Sequence, residues 1–167
     1  MQDKHWISRT VALIGDEKLD KLINSHVLVV GLGGIGSFAA EFIARAGVGK
    51  MTIVDGDVVD PSNRNRQLPA MFSTHGVSKA DWMAERIRDI NPEIELHVVK
   101  EFLSPEKAYE IVGLYDYDYI IDAIDSITPK INLLKAAYEL KKKIVMSGGA
   151  GGKMDPTKLI VDDLANT

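Results

Sequence analysis

Apolar positions along the chain fall into short runs divided by helical patterns. Val27–Val30 is a continuous run, VLVV, that stops at Gly31-Leu32-Gly33-Gly34-Ile35-Gly36. A short apolar run bounded by turn formers predicts a buried strand. From about Gly34 to Ala46 the spacing becomes helical, which points Phe38, Phe42 and Ile43 toward a sheet. Ala39, Ala40 and Ala44 allow close packing there, and Gly47 and Gly49 end the helix. Met51–Val54 is a second strand that closes on Asp55. Ser78–Asn91 predicts a helix with Trp82, Met83, Ile87 and Ile90 on its buried side, and Pro92 stops it. Ile94–Lys100 alternates as a third strand, and Ser104-Pro105 opens a short helix that ends near Gly113. Tyr119–Ala123 is a buried strand. Thr128-Pro129 then opens a helix whose face is Ile131, Leu134 and Tyr138. Ile144–Met146 is a fifth strand and Leu159–Asp162 a candidate last one. Upstream, Leu19, Leu22 and Ile23 share one face of a short helix, and His26 reads as a surface residue. Alternating strands and helices predict an α/β fold: a Rossmann-like, mostly parallel sheet with helices on both faces.

Composition narrows the function classes. The 167 residues suffice for one domain with a core, and 46% hydrophobic with 26% charged residues is an ordinary globular balance. A net charge of −4 gives no general attraction to nucleic acid or anionic membrane. RNA contact would need a local basic patch, such as Lys141-Lys142-Lys143. No run approaches the roughly 20 apolar residues of a membrane span. The opening MQDKHWISRT lacks the apolar centre of a signal peptide, so the expected compartment is the cytoplasm. These residues include no cysteine, which removes a disulfide framework, a thiolate zinc site and any cysteine nucleophile or persulfide carrier from them.

The candidate chemistry centres on the first glycine turn. Gly31, Gly33, Gly34 and Gly36 let backbone N–H groups approach a phosphate, and a helix N-terminus adds positive partial charge there. Asp55 ends the next strand, about 20 positions further on, where a carboxylate accepts from a ribose. Strand, glycine turn, helix, strand and acid together indicate an adenine nucleotide. The loop 56–67 follows a strand's C-terminal end, where open α/β sheets place ligands. Asn63, Arg66 and Gln67 are therefore candidates for base, ribose and phosphate contacts, against the plainer reading of a solvated loop. Lys79 stands in the first turn of its helix, opposed to the dipole unless an anion lies nearby, which favours a phosphate role. Asp125, at another strand's C-terminal end, can hold Mg²⁺ on a nucleotide or simply form a turn. Gly148–Lys153 is not a P-loop: Ser147 replaces its first glycine and Met154 stands where Ser or Thr would meet Mg²⁺. Two readings remain open. A dinucleotide oxidoreductase explains the glycines and Asp55; an adenylate-forming enzyme using ATP also employs Arg66, Lys79 and Asp125.

GLGGIG, ARAGVGKMTIVDGDVVDPSNRNRQ, GVSKADWMAERIRDINP and IDAIDS resemble the ubiquitin-activating-enzyme superfamily, in its ThiF/MoeB/HesA branch, from Arg9 to the end. Within that branch, DAIDS and SGGAGGKMDPTKLIVDDLANT are most similar to the tRNA threonylcarbamoyladenosine dehydratases. The resemblance implies that Gly31, Gly33, Gly34 and Gly36 cradle ATP and that Asp55 holds its ribose. It implies that Asn63, Arg66 and Lys79 meet the phosphates, that Asp57 is a second acid near the site, and that Asp125 is the Mg²⁺-associated acid. Arg9, by itself a solvated arginine, matches one that homodimers of the family insert into the neighbouring subunit's site. The implied reaction dehydrates threonylcarbamoyladenosine in tRNA through an acyl-adenylate, with sulfur-transfer proteins as further partners. Adenylation of a sulfur-carrier protein's C-terminus is the related alternative. An inert nucleotide-binding module is the alternative from another class. Residues 1–167 are expected to form a single adenylating domain that lacks the C-terminal portion with which the family continues.

Overall fold

Residues 4–149 and 151–166 are described by a computed structural model. In chain order the elements are α1 (Ser8–Ile14), α2 (Asp16–Asn24), β1 (His26–Val30), α3 (Gly36–Ala46), β2 (Lys50–Val54), α4 (Lys79–Ile90), β3 (Glu95–Val99), α5 (Pro105–Leu114), β4 (Tyr119–Asp122), α6 (Ile127–Glu139) and β5 (Ile144–Met146). The five strands pair in the order β3-β2-β1-β4-β5, and every pairing is parallel. The sheet grows in one direction through β2 and β3. It then returns to the other side of β1 for β4 and β5, so the strand order switches between β1 and β4. Among the described residues no helix is long and apolar enough to cross a membrane.

Strand alternation divides the core into two layers. Val27, Val29, Met51 and Ile53 face α3 and α4, where they meet Ala40, Ala44, Met83 and Ile87. Leu28, Val30, Val54 and Ile120 face α5 and α6, where they meet Ile111, Val112, Leu133 and Ala137. Both faces of the central strands are covered, as an all-parallel sheet requires, and all five residues of β1 are buried. The helix starts follow their expected signals. The Ser78 hydroxyl accepts from the Asp81 N–H, and that of Ser104 from the Lys107 N–H, with Pro105 at the first helical position.

Four expectations need correction. Phe38 and Phe42 do not face the sheet; Phe42 is 63% exposed, and the inner line of α3 belongs to Ala40 and Ala44, both fully buried. Positions 38 and 42 lie roughly 200° around a helix of 3.6 residues per turn from that line. On α6, Ile131 and Tyr138 are exposed and Leu134 is half-buried; Leu133, Ala136 and Ala137 form the packed face. On α3 alanines take the inner line and let the helix sit close to the strands, and on α6 Ala136 and Ala137 share that line with Leu133. Residues 159–162 form no strand, and the segment 151–166 is exposed throughout. His26 is buried, not superficial: its Nε2 lies 2.9 Å from the Thr52 hydroxyl, beside the rings of Tyr115, Tyr117 and His97.

Burial lowers the His26 pKa below the usual histidine value, and His97 and Lys50 lower it further; Glu95 and Asp118 pull the other way. A histidine whose folded pKa is depressed contributes stability that is complete above its unfolded value, about 6.5, and lost as pH falls through the folded value. The raised carboxyls of Asp55 and Asp122 act in the opposite sense, so a His26→Gln comparison isolates the histidine. Between pH 7 and pH 5, urea unfolding should show wild type losing more stability than His26→Gln. Equal losses would reject the assignment.

Candidate functional site

A cavity of about 700 Å³ opens at the C-terminal edge of the sheet, where the strand order switches between β1 and β4. Open α/β sheets bind ligands at that location because diverging connections leave a crevice there. The glycine turn after β1 forms one wall. Gly31 has φ +88°, and a Cβ on it would meet the Ala123 carbonyl oxygen at 2.8 Å. A Cβ on Gly36 would lie 1.7 Å from the Gly31 carbonyl oxygen. Only glycine permits the start of α3 to sit this close to the end of β1. Gly31, Gly33 and Gly34 line the cavity, and buried Gly36 lies behind them as the packing point.

Asp55, at the end of β2, fixes that turn. Its Oδ2 accepts from the Leu32 N–H at 2.6 Å and its Oδ1 from the Asp57 N–H at 2.7 Å. Burial raises its carboxyl pKa, while the two N–H donors and Lys79 act against that shift. Each oxygen retains acceptor capacity toward the cavity, which suits ribose hydroxyls. Lys79, at the first position of α4 and only 5% exposed, places its ammonium 3.0 Å from Asp57 Oδ2. An anion therefore does lie beside this lysine, and both groups line the cavity.

Arg66 and Gln67 stand on the same wall, presented by a 3-10 turn at Pro61–Asn65. Arg66 lies against Gly34, and its guanidinium donates to the Asn65 side-chain oxygen at 2.9 Å. Gln67 is buried, and its Oε1 has no hydrogen-bond partner among the described residues. That oxygen is itself buried behind the wall, while the side-chain nitrogen lies toward Gly33. Asn63 lies outside the wall. Its Oδ1 accepts from the Asp60 N–H at 3.1 Å, closing a capping box that shapes the turn carrying Arg66 and Gln67. Arg9 is exposed on α1 and does not line this cavity. The opposite wall holds Asp125, exposed, with only the Ser126 hydroxyl near its Oδ1 at 3.3 Å.

The pattern of residue types does not by itself reveal Glu101, Phe102 and Leu103, which also line the cavity from the β3–α5 connection. Their signal is positional: they follow a strand's C-terminal end, the rule that singles out 56–67. Phe102 is 70% exposed and packs on Gly56, where a Cβ would lie 2.9 Å from its ring. Ser147, Gly149 and Gly151 line the rim, which brings the second glycine-rich segment to the crevice; Ala150 lies outside the described residues.

The ThiF family profile matches residues 7–165. This chain belongs to the ThiF family. It is 45% identical over 158 residues to the tRNA threonylcarbamoyladenosine dehydratase of Escherichia coli, covering 95% of this chain and 59% of that relative. To the Bacillus subtilis enzyme of the same name it is 47% identical over 163 residues, covering 98% of this chain and 64% of the relative. The chain thus spans about three fifths of the length of these relatives. The crystal structure of the E. coli dehydratase, TcdA, in complex with ATP superposes with a TM-score of 0.95 at 43% identity, covering 99% of this chain and 69% of that one. Of the two nucleotide chemistries, it is ATP that the E. coli relative's structure contains.

Gly36→Ala should destabilise the domain by about 1–3 kcal/mol, the usual effect of overpacking, because backbone has to move to admit the Cβ. Urea unfolding checks it: a midpoint equal to wild type would show that the contact is tolerated.

Proposed function

We propose that this domain activates a carboxylate with ATP and that its substrate is the threonylcarbamoyl modification of adenosine in tRNA. The observation that carries the reading is the arrangement of the cavity. A phosphate-sized glycine turn faces Arg66 and Lys79 on one side and the available carboxylate of Asp125 on the other. The dehydratase relatives support the substrate assignment.

The chemistry follows from charge. A carboxylate oxygen attacks the α-phosphorus of ATP, the bond to pyrophosphate breaks, and an acyl-adenylate forms. Two anions must meet, so the site has to offset their repulsion. The Arg66 guanidinium and the Lys79 ammonium supply fixed positive charge, and the backbone N–H groups of the turn add donors that need no reorganisation. Asp55 positions the ribose. A nucleophilic atom within the same modification then attacks the acyl carbon, AMP leaves, and a ring closes with net loss of water.

Mg²⁺ fits this donor set in one way. Among the described residues no group of three or more histidines, cysteines or acids could hold an ion. Magnesium is commonly bound through one or two carboxylates plus substrate phosphates. Asp125 is the residue that would hold it, and it would neutralise phosphate charge. The absence of cysteine from these 167 residues disfavours a thiol relay by them, whereas adenylation of a sulfur-carrier C-terminus needs no thiol and is separated by the carrier arm of the test. Sulfur-transfer proteins enter only as separate partners.

We also read residues 1–167 as one adenylating domain that acts as a homodimer in the cytoplasm, the compartment of a tRNA substrate. Ile35, Phe38 and Phe42 are exposed along α3, starting at the cavity rim. This apolar stripe supports docking of a second copy, whose Arg9 would then add a cation to the neighbouring cavity.

The test is AMP release from α-labelled ATP with threonylcarbamoyl-bearing tRNA, using this chain and one of the relatives' full length. Stimulation by that tRNA, falling about 10²–10³-fold in Lys79→Ala, is the expected result. AMP release that requires a carrier protein and ignores tRNA would favour the sulfur-carrier reading. Nucleotide binding without turnover in both chains would favour the inert module.

A further inference from the structure

The last residue of β4, Asp122, is fully buried, and its side chain meets a cation from α6. Lys130 Nζ lies 2.7 Å from Asp122 Oδ2 and donates to the Ser147 carbonyl oxygen at 2.9 Å. The Ser147 N–H donates to the Asp122 carbonyl oxygen at 2.9 Å, and Asp122 Oδ1 accepts from the Ile124 N–H at 3.0 Å. These bonds form a closed ring. One ammonium joins the end of β4 to the first residue beyond β5, and the same carboxylate holds the turn that leads to Asp125. Neither Asp122 nor Lys130 lines the cavity, yet their partners Ile124 and Ser147 do, as does Asp125.

The pair is not explained by stability. Removing an ammonium and a carboxylate from water costs several kcal/mol per ion, and apolar residues of similar size commonly serve a core equally well. What an apolar pair would not supply is a directional tie to a particular carbonyl. Lysine is suited to this ring because its three donors radiate from one point and reach two acceptors on different strands.

We propose that Lys130 is a positioning residue that sets the separation between the Asp125 turn and the glycine-rich segment 147–151, and so fixes the substrate-facing wall of the cavity. The proposal rests on the adenylation reading for its catalytic consequence, though not for its structural one. Lys130 need not contact nucleotide. It acts through Asp122 and Ser147 on the groups that do line the site. A displacement of about 1 Å in such a wall lowers turnover about 10²-fold without removing any reacting group.

The experiment compares wild type, Lys130→Met and Lys130→Arg. The expected result is a kcat for AMP formation that falls about 10–10²-fold in Lys130→Met, with KM for ATP changed less than about threefold and kcat largely restored in Lys130→Arg. Amide hydrogen exchange gives a second reading that needs no activity. In Lys130→Met exchange should accelerate at Ile124, Asp125 and Ser147, while β1 and β2 keep wild-type protection. If Lys130→Met leaves Asp122 unpaired and does not fold, Lys130→Met combined with Asp122→Asn carries no buried charge and gives the same readings. Wild-type kcat and wild-type exchange in either folded variant would overturn the proposal. Should wild type itself form no AMP with any substrate, the adenylation reading fails. The exchange pattern then supports or overturns the positioning role by itself.

Discussion

The contact between Gly36 and the Gly31 carbonyl governs the arrangement of the site. A Cβ at Gly36 would fall 1.7 Å from that oxygen, so its absence is what lets α3 begin directly above the end of β1. Once the helix starts there, its inner line has to be small, and Ala40 and Ala44 fill it at zero exposure. The turn between strand and helix is then too tight to satisfy its own N–H groups, and Asp55 on the neighbouring strand accepts from Leu32 at 2.6 Å. Helix packing, turn geometry and acid position thus follow from one close approach. The same approach brings Gly33 and Gly34 to the cavity wall at the start of a helix, where an anion is favoured.

Beyond the glycine turn, the crevice is shaped by charge pairs that reach between elements. Lys79 joins α4 to the loop after β2 through Asp57, and Lys130 joins α6 to the ends of β4 and β5 through Asp122. Lys130 and Asp122 are both withdrawn from solvent, whereas Lys79 is buried against an exposed Asp57; each buried ion carries a desolvation penalty and gains directional specificity. In Lys79 that specificity faces the cavity. In Lys130 it faces the backbone that carries other cavity-lining groups.

Sequence reading succeeded where a local signal and its physical cause coincide. The glycine spacing, Asp55 at a strand end, the start at Ser104-Pro105 and the placement of Asp125 all depend on geometry within a few residues. It failed at Phe38, Phe42, Ile131 and Tyr138, because large apolar side chains were assigned to helix faces that alanines occupy. That choice depends on how near the helix lies to its sheet, which no local pattern states. His26 was misread for a related reason: its partners Thr52, His97, Tyr115 and Tyr117 come from other strands and connections. The family resemblance named Asn63, yet the structure gives its side chain a capping task, since loop chemistry and ligand chemistry use the same polar residue. Phe102 and Lys130 carried no motif at all.

Charge within the cavity bears on what the site requires for an anionic ligand. Among the described residues lining it, Asp55, Asp57, Glu101 and Asp125 face only Arg66 and Lys79. Lys79 is already engaged by Asp57, and Glu101 is paired outward with Lys107 at 3.0 Å. A triphosphate and a substrate carboxylate would therefore enter a wall whose acids outnumber its cations. Donors of the glycine turn and the helix dipole offset part of that repulsion, but a dipole contributes only about half an elementary charge. The proposed ATP chemistry thus needs positive charge from outside this chain's own wall. A divalent cation at Asp125 and an arginine from a second copy are two sources of the required sign.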